Sequence, residues 1–271
     1  MSSVSRLPVT AKTKPWGTPK TEPWYRNDDQ REIGEVWFEA SKAVPLLVKL
    51  LFTSDLLSVQ VHPGDDYARL HENSRGKTEM WHILRANPGA RIAAGLKESV
   101  SPERLRAACL SGEVESMLQW TEVHPGDTFF IPAGTIHAIG PGIVACEVQQ
   151  HSDVTYRLYD YGRGRELHLD RGMDVVKPEP WDARAHLELA CQYFRTERLI
   201  LNGQAQCPSP ERNTLYIALE GEGTIAGLPF TPGAGFEAAA GAPPFPIISE
   251  KAAFLLTSEP GHATSVASNL Q

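Results

Sequence analysis

The sequence predicts an all-β protein with short helical insertions. Three observations carry that prediction. Short apolar–polar alternations recur along the chain, as in Ser58-Val59-Gln60-Val61-His62 and Val144-Ala145-Cys146-Glu147-Val148-Gln149. A period of two marks a strand with unlike faces. Gly- and Pro-containing turns separate these runs,. Within the stretch from Gly126 to Arg157, the residues Gly126, Pro132 and Gly134 precede His137, and a strand follows with Ala145, Glu147 and Gln149 on one face. A carboxylate and an amide beside a glycine-rich turn bearing a histidine describe the wet interior of a β-barrel. The opposite face, Val144, Cys146 and Val148, is suited to packing on a second sheet.

The elements follow in order. Residues 1–34 read as an irregular arm with short extended pieces, pinned by Trp16 and Trp24,. Residues 35–39 and 44–51 read as strands, the second apolar on both faces and therefore buried,. Ser58, Gln60 and His62 share a strand face, ended by Pro63-Gly64-Asp65; a short helix is expected at 66–73. In the strand over 76–84, Lys77, Glu79, Trp81 and Ile83 share one face and His82 points the other way,. Arg91–Leu96 is a further strand. Ser101-Pro102 opens a helix as N-cap and first-turn proline, so a helical insertion is expected at about 101–119,. The Pro-rich connection 177–180 marks the expected boundary between a domain over 1–180 and a smaller β domain over 181–271,. The latter holds two histidines, His186 and His262, with no spaced acidic partner.

Composition bounds the function. A formal net charge of -7 argues against a nucleic-acid partner,. It leaves room for an anionic small molecule, because a local Arg/Lys cluster can reverse the field in one cleft. The four cysteines lie far apart with no CxxC pair and are expected as reduced thiols,. With no apolar leader and no bilayer-length apolar run, no membrane association is expected, and the expected compartment is the cytoplasm,.

The spacing Gly126-x5-Pro132-x-Gly134-x2-His137 resembles the second signature of the cupin superfamily. The usual first signature, His-x-His followed closely by Glu, is absent; Gln60-x-His62 and the later Glu79 stand in its place. Gln-Val-His-Pro, Gly-Lys-Thr-Glu, Pro-Ala-Gly-Thr-Ile-His and Glu-Val-Gln-Gln-x-Ser-Asp-x-Thr-Tyr-Arg together resemble the type I mannose-6-phosphate isomerases, over roughly residues 31–175,. The chain looks like that family's short bacterial form.

The resemblance implies a tandem cupin (jelly-roll) architecture whose second unit lacks metal ligands. Its turn Gly221-Glu222-Gly223 keeps the cupin shape alone. It also implies one zinc ion per chain, a hexose phosphate as substrate, and aldose–ketose isomerisation of mannose 6-phosphate and fructose 6-phosphate through an enediol. Gln60, His62, Glu79 and His137 offer one amide oxygen, two imidazoles and one carboxylate, a set that suits zinc and leaves positions open. A lone histidine or glutamate is ordinarily a packed polar residue; four at this spacing are a site. Gln60 has a second role open to it, hydrogen bonding to a ligand.

By resemblance, Lys77 and Arg157 are the cations at the substrate. Lys77 can meet either a phosphate or a sugar hydroxyl, and the planar fork of Arg157 suits an oxyanion. Glu147 and Asp153 are both candidates for the general base and the ring-opening acid. His71, His82, His124 and His151 are expected outside the site. Two alternatives stay open, a non-catalytic cupin that binds sugar phosphates and a metal cupin acting on another sugar or as an oxygenase.

Overall fold

The apolar run at 44–51 becomes the strand Leu46–Phe52, in which every residue is buried. It is buried on both sides because it lies inside a sheet covered on both faces. In the computed structural model, which describes residues 3–260, the chain forms three antiparallel sheets. His262 lies outside the described residues. The first sheet has the order Arg184–Ala185, Thr128–Ile131, Glu79–Ala86, Ile143–Gln150, Leu46–Phe52, Ile33–Phe38, Val9–Thr18. The second has the order Tyr156–Tyr159, Val59–Val61, His137–Ile139, Arg91–Leu96, Leu118–Glu122. These two sheets enclose a barrel, with Leu51, Trp81, Ile83 and Ala145 of the first packing with Ile92, Ala94 and Ile139 of the second.

The alternation now has a physical reading. Val48, Leu50, Met80, Val144, Cys146 and Val148, on the outer face of the first sheet, pack on Leu215, Ile217, Ala253 and Leu255 of the third. Their neighbours in sequence, Lys49, Glu79, Trp81 and Glu147, point into the barrel. The third sheet is built around two long strands, Arg195–Cys207 and Phe245–Ser258. Strand pairing crosses residue 180 in both directions. Val4–Arg6 pairs with Gly235–Ala238 in the third sheet, and Arg184–Ala185 pairs with Thr128–Ile131 in the first.

Helices cover the outer face of the second sheet, where Val59, Val61, Ala93, Ala138 and Leu158 meet Leu105, Ala108, Cys109 and Val114. The helix Pro102–Ser111 starts as its sequence directs, the Ser101 hydroxyl accepting from the Arg104 N–H at 3.2 Å. The helices Asp65–Glu72 and Val114–Met117 also fall where the pattern placed them. A fourth, Leu169–Val175, was not expected. It lacks a side-chain cap and carries Gly172, both poor local signals. Tertiary contact supplies what propensity does not: a Cβ at Gly172 would meet a Leu158 methyl at 2.3 Å, so the glycine lets helix and sheet close up. No helix among the described residues is long and apolar enough to cross a membrane.

His82 shares the outward face with Met80 and bonds Thr128 Oγ1 through Nδ1 at 2.9 Å. Burial, helped by Arg198, pushes its imidazole down to about 4. The folded state therefore holds fewer protons here than the unfolded chain between about pH 4 and 6.5, so stability falls as pH falls through that window. The expected loss is on the order of 2–3 kcal/mol from this group. Denaturant unfolding at pH 7 and pH 4.5 measures it, and His82→Asn should flatten that part of the profile.

Candidate functional site

Strand register brings the candidate residues together. His137 stands opposite Gln60, Gln60 opposite Arg157, Glu79 opposite Gln149, and Glu147 between Lys49 and Trp81. The turn before His137 sets its approach. Gly134 has φ +89°, and its N–H donates to the His62 carbonyl at 2.9 Å, tying the turn to the neighbouring strand. A left-handed residue is needed there, which is why a glycine stands at this point.

Donor atoms of His62, Glu79 and His137 all lie within 4.8 Å of one another, and all three side chains are buried. His62 Nε2 lies 3.5 Å from Glu79 Oε2, and His137 Nε2 lies 3.5 Å from Glu79 Oε1. Gln60 completes the group, its Nε2 at 3.1 Å from His137 Nε2. The outer ring nitrogens are occupied: His62 Nδ1 is 3.0 Å from the Val154 carbonyl and His137 Nδ1 is 2.9 Å from the Thr135 carbonyl. Each ring therefore carries its proton outside and turns the Nε2 lone pair inward. Burial lowers both imidazoles below their ordinary range, with Lys77 adding to the effect on His62, so both are neutral at pH 7.

This donor set fits a divalent cation. Two neutral imidazoles and one carboxylate converge, and Glu79 Oε1 is buried with no hydrogen-bond partner, a costly state for a carboxylate oxygen unless a cation meets it,. Burial alone would raise the Glu79 carboxyl; Lys77 and His137 outweigh it and hold the group at about 2. The Lys77 ammonium sits in the same nest, bonded to Glu79 and 3.0 Å from His62 Nε2. Burial opposes its charge, but Glu147 and Glu79 raise it, so it is a fixed cation.

Beside this cluster opens a cavity of about 250 Å³, lined by Gln60, Lys77, Glu147, Asp153 and Arg157 together with Lys14, Lys49 and Arg165. Glu147 is buried and accepts from Trp81 Nε1 at 3.3 Å, with Lys49 Nζ at 3.4 Å and Lys77 Nζ at 3.5 Å. Asp153 sits at the rim, its side chain 60% exposed, 3.8 Å from Lys49. Arg157 donates from Nη1 to the Glu166 carbonyl at 2.7 Å, and its Nε is buried without a partner. Asp160, buried, pairs with both Arg163 and Arg165, so three guanidinium groups with Arg157 gather around one carboxylate. Of the four candidate donors only Gln60 lines this cavity of about 250 Å³, the other three being buried; a larger cavity of about 950 Å³, lined by Arg85, Arg91, Trp120 and Gly140 among others, is lined by none of them. Size alone does not mark the site; chemistry does.

Lys49 escaped the sequence reading. Its signal was there, a lysine inside Leu46-Leu47-Val48-Lys49-Leu50-Leu51, which only an ionic partner can accommodate,. His71, His124 and His151 are not part of the converging donor cluster.

An antiparallel barrel carrying histidines and a glutamate on its inner strands, backed by a second β unit, defines a protein of the cupin fold with a candidate metal centre. Comparison narrows this. The chain is 40% identical to mannose-6-phosphate isomerase of Bacillus subtilis over 200 residues, 67% of this chain and 63% of that protein. It is 36% identical to a probable mannose-6-phosphate isomerase of the same organism over 222 residues, 72% of this chain and 70% of that protein. The crystal structure of the mannose 6-phosphate isomerase from Bacillus subtilis superposes with a TM-score of 0.83 at 26% identity, covering 93% of this chain and 98% of that one. No family model matches the chain. The chain belongs to the mannose-6-phosphate isomerase family. Its match spans less than two thirds of the length of the first of these relatives.

The contact between Lys49 and Glu147 should be energetically coupled. In a double-mutant cycle of Lys49→Met and Glu147→Gln, read by denaturant unfolding, the single variants each lose about 2 kcal/mol or more. The double variant should lose less than their sum by at least about 1 kcal/mol.

Proposed function

We propose that this chain is a zinc-dependent aldose–ketose isomerase interconverting mannose 6-phosphate and fructose 6-phosphate through an enediol intermediate. The single observation that carries the reading is the convergence of His62, Glu79 and His137 donors at the edge of a cavity ringed by cations. Family membership supports it. Gln60, His62, Glu79 and His137 would hold the metal. When bound, zinc supplies Lewis acidity toward the sugar oxygens that change charge during the reaction.

The chain's own residues carry the rest. Glu147 is the general base: it lies deepest among the free carboxylates, with its orientation fixed by Trp81, Lys49 and Lys77. It takes the proton from C2 of the open-chain aldose as the C1 carbonyl gains a proton, forming the enediol. Return of that proton to C1, with loss of the O2 hydroxyl proton as the C2 carbonyl forms, completes the ketose, so no net proton, oxidant or reductant is consumed. Lys77 and Lys49, though each is paired with a glutamate, present fixed ammonium groups that favour negative charge developing on the sugar oxygens,. Asp153, at the solvent rim, is placed for ring opening. Arg157 and Arg165, the arginines around Asp160 that line the cavity, take the far, phosphorylated end, where binding energy holds the reacting carbons in register,.

Three expected outcomes follow from these roles. A coupled assay with mannose 6-phosphate should show turnover that EDTA abolishes and zinc restores, while His137→Ala retains no stoichiometric metal by elemental analysis. Full activity in verified metal-free protein would overturn the metal assignment. Arg157→Lys, which keeps charge but loses the planar fork, should lower kcat/KM by roughly 10²-fold. Arg165→Met should act mainly through KM, as expected for a group that binds the distal phosphate.

A further inference from the structure

The stretch Gln149-Gln150-His151-Ser152 lies within the motif that ends at Arg157, yet none of its residues lines the cavity. Gln149, Gln150 and Ser152 are buried nonetheless. Burying three polar side chains away from substrate is costly unless their bonds do something. Here the bonds tie three separate segments together. Gln150 Oε1 accepts from the Thr78 N–H at 2.9 Å, and its Nε2 donates to Asp65 Oδ1 at 2.8 Å. Asp65 Oδ1 also accepts from the Gly76 N–H at 2.8 Å. Gln149 Nε2 donates to the carbonyls of Gln150 and Ser152. The Ser152 hydroxyl donates to the Arg75 carbonyl at 2.8 Å and accepts from the Val154 N–H at 3.3 Å.

Two ends of this network reach the donor cluster. On one side it fixes residues 75–78, which present Lys77. On the other it fixes Val154, whose carbonyl meets His62 Nδ1 at 3.0 Å. We propose that Ser152 is a positioning residue that, by holding the Val154 carbonyl in place, orients the His62 ring so that its Nε2 lone pair is directed at a metal. The proposal rests on the reading of His62 as a metal ligand. A neutral imidazole offers one lone pair, and only this tautomer presents it inward. The Lys77 ammonium, a donor only, favours the same tautomer from the Nε2 side,, and the carbonyl partner to the outer nitrogen fixes the ring's orientation,. Without the Ser152 hydroxyl, the Val154 N–H loses its acceptor and the loop loses its tie to Arg75. The carbonyl then no longer holds one position, and the ring loses its fixed orientation.

Two measurements test this. Zinc affinity, read by competition with a chromophoric chelator, should fall about tenfold in Ser152→Ala. Thr196→Ala serves as the matched control: its hydroxyl is also buried, donating to the Leu187 carbonyl, but in the third sheet. It should lose thermal stability with zinc affinity unchanged. Unchanged zinc affinity in Ser152→Ala overturns the proposal. The second measurement needs no variant: a long-range ¹H–¹⁵N spectrum of the metal-free wild-type protein should show His62 protonated at Nδ1, and protonation at Nε2 overturns the proposal even if Ser152→Ala does not fold. A wild-type protein that takes up no zinc at all overturns the metal reading itself, while the tautomer still reports on the device.

Discussion

Two lysines and two glutamates face one another inside the barrel, and the architecture depends on their being paired. Lys77 contacts Glu79 and Glu147, and Lys49 contacts Glu147. At about 3.5 Å and an effective dielectric near 20, each of the two lysine contacts of Glu147 is worth about 5 kcal/mol of Coulomb attraction,. Removing each ion from water costs several kcal/mol, so no pair is a clear gain in stability by itself. A chain that carries such a cluster keeps it because a desolvated, preorganised field is useful, and the surrounding sheets exist to keep water out of it.

That constraint explains why the first sheet is covered on both sides. Its inner face holds the charges, and its outer face is apolar and packed on the third sheet. The C-terminal β unit thus acts on the site without touching it. It covers the outer, apolar side of the wall from which Lys49, Glu79 and Glu147 project. On the far side of the barrel the helices give the same support to the strands bearing Gln60, His137 and Arg157.

Much of this was legible in the sequence. Period-two alternation placed Glu147 and Gln149 on one face and His82 on the other, because a buried sheet leaves no freedom in register. The Pro132-Ala133-Gly134 turn announced His137, since the backbone there needs a left-handed residue. What escaped had weak local signals. Lys49 hid in an apolar run whose partners, Glu147 and Asp153, lie about a hundred residues later. Leu169–Val175 is a helix because Gly172 fits against Leu158, a fact of packing and not of propensity. The arginines at 163 and 165 carry no local signal in the sequence; it is Asp160 that gathers them.

Strand exchange across residue 180 carries a consequence for how this chain can be divided. Residues 4–6 complete the C-terminal sheet, and residues 184–185 extend the N-terminal one. A cut at the proline-rich connection would hand each fragment the other's closing strand and leave both with open, unpaired sheet margins. Severed halves would adhere to one another, or to further copies, before either behaved as a free-standing unit.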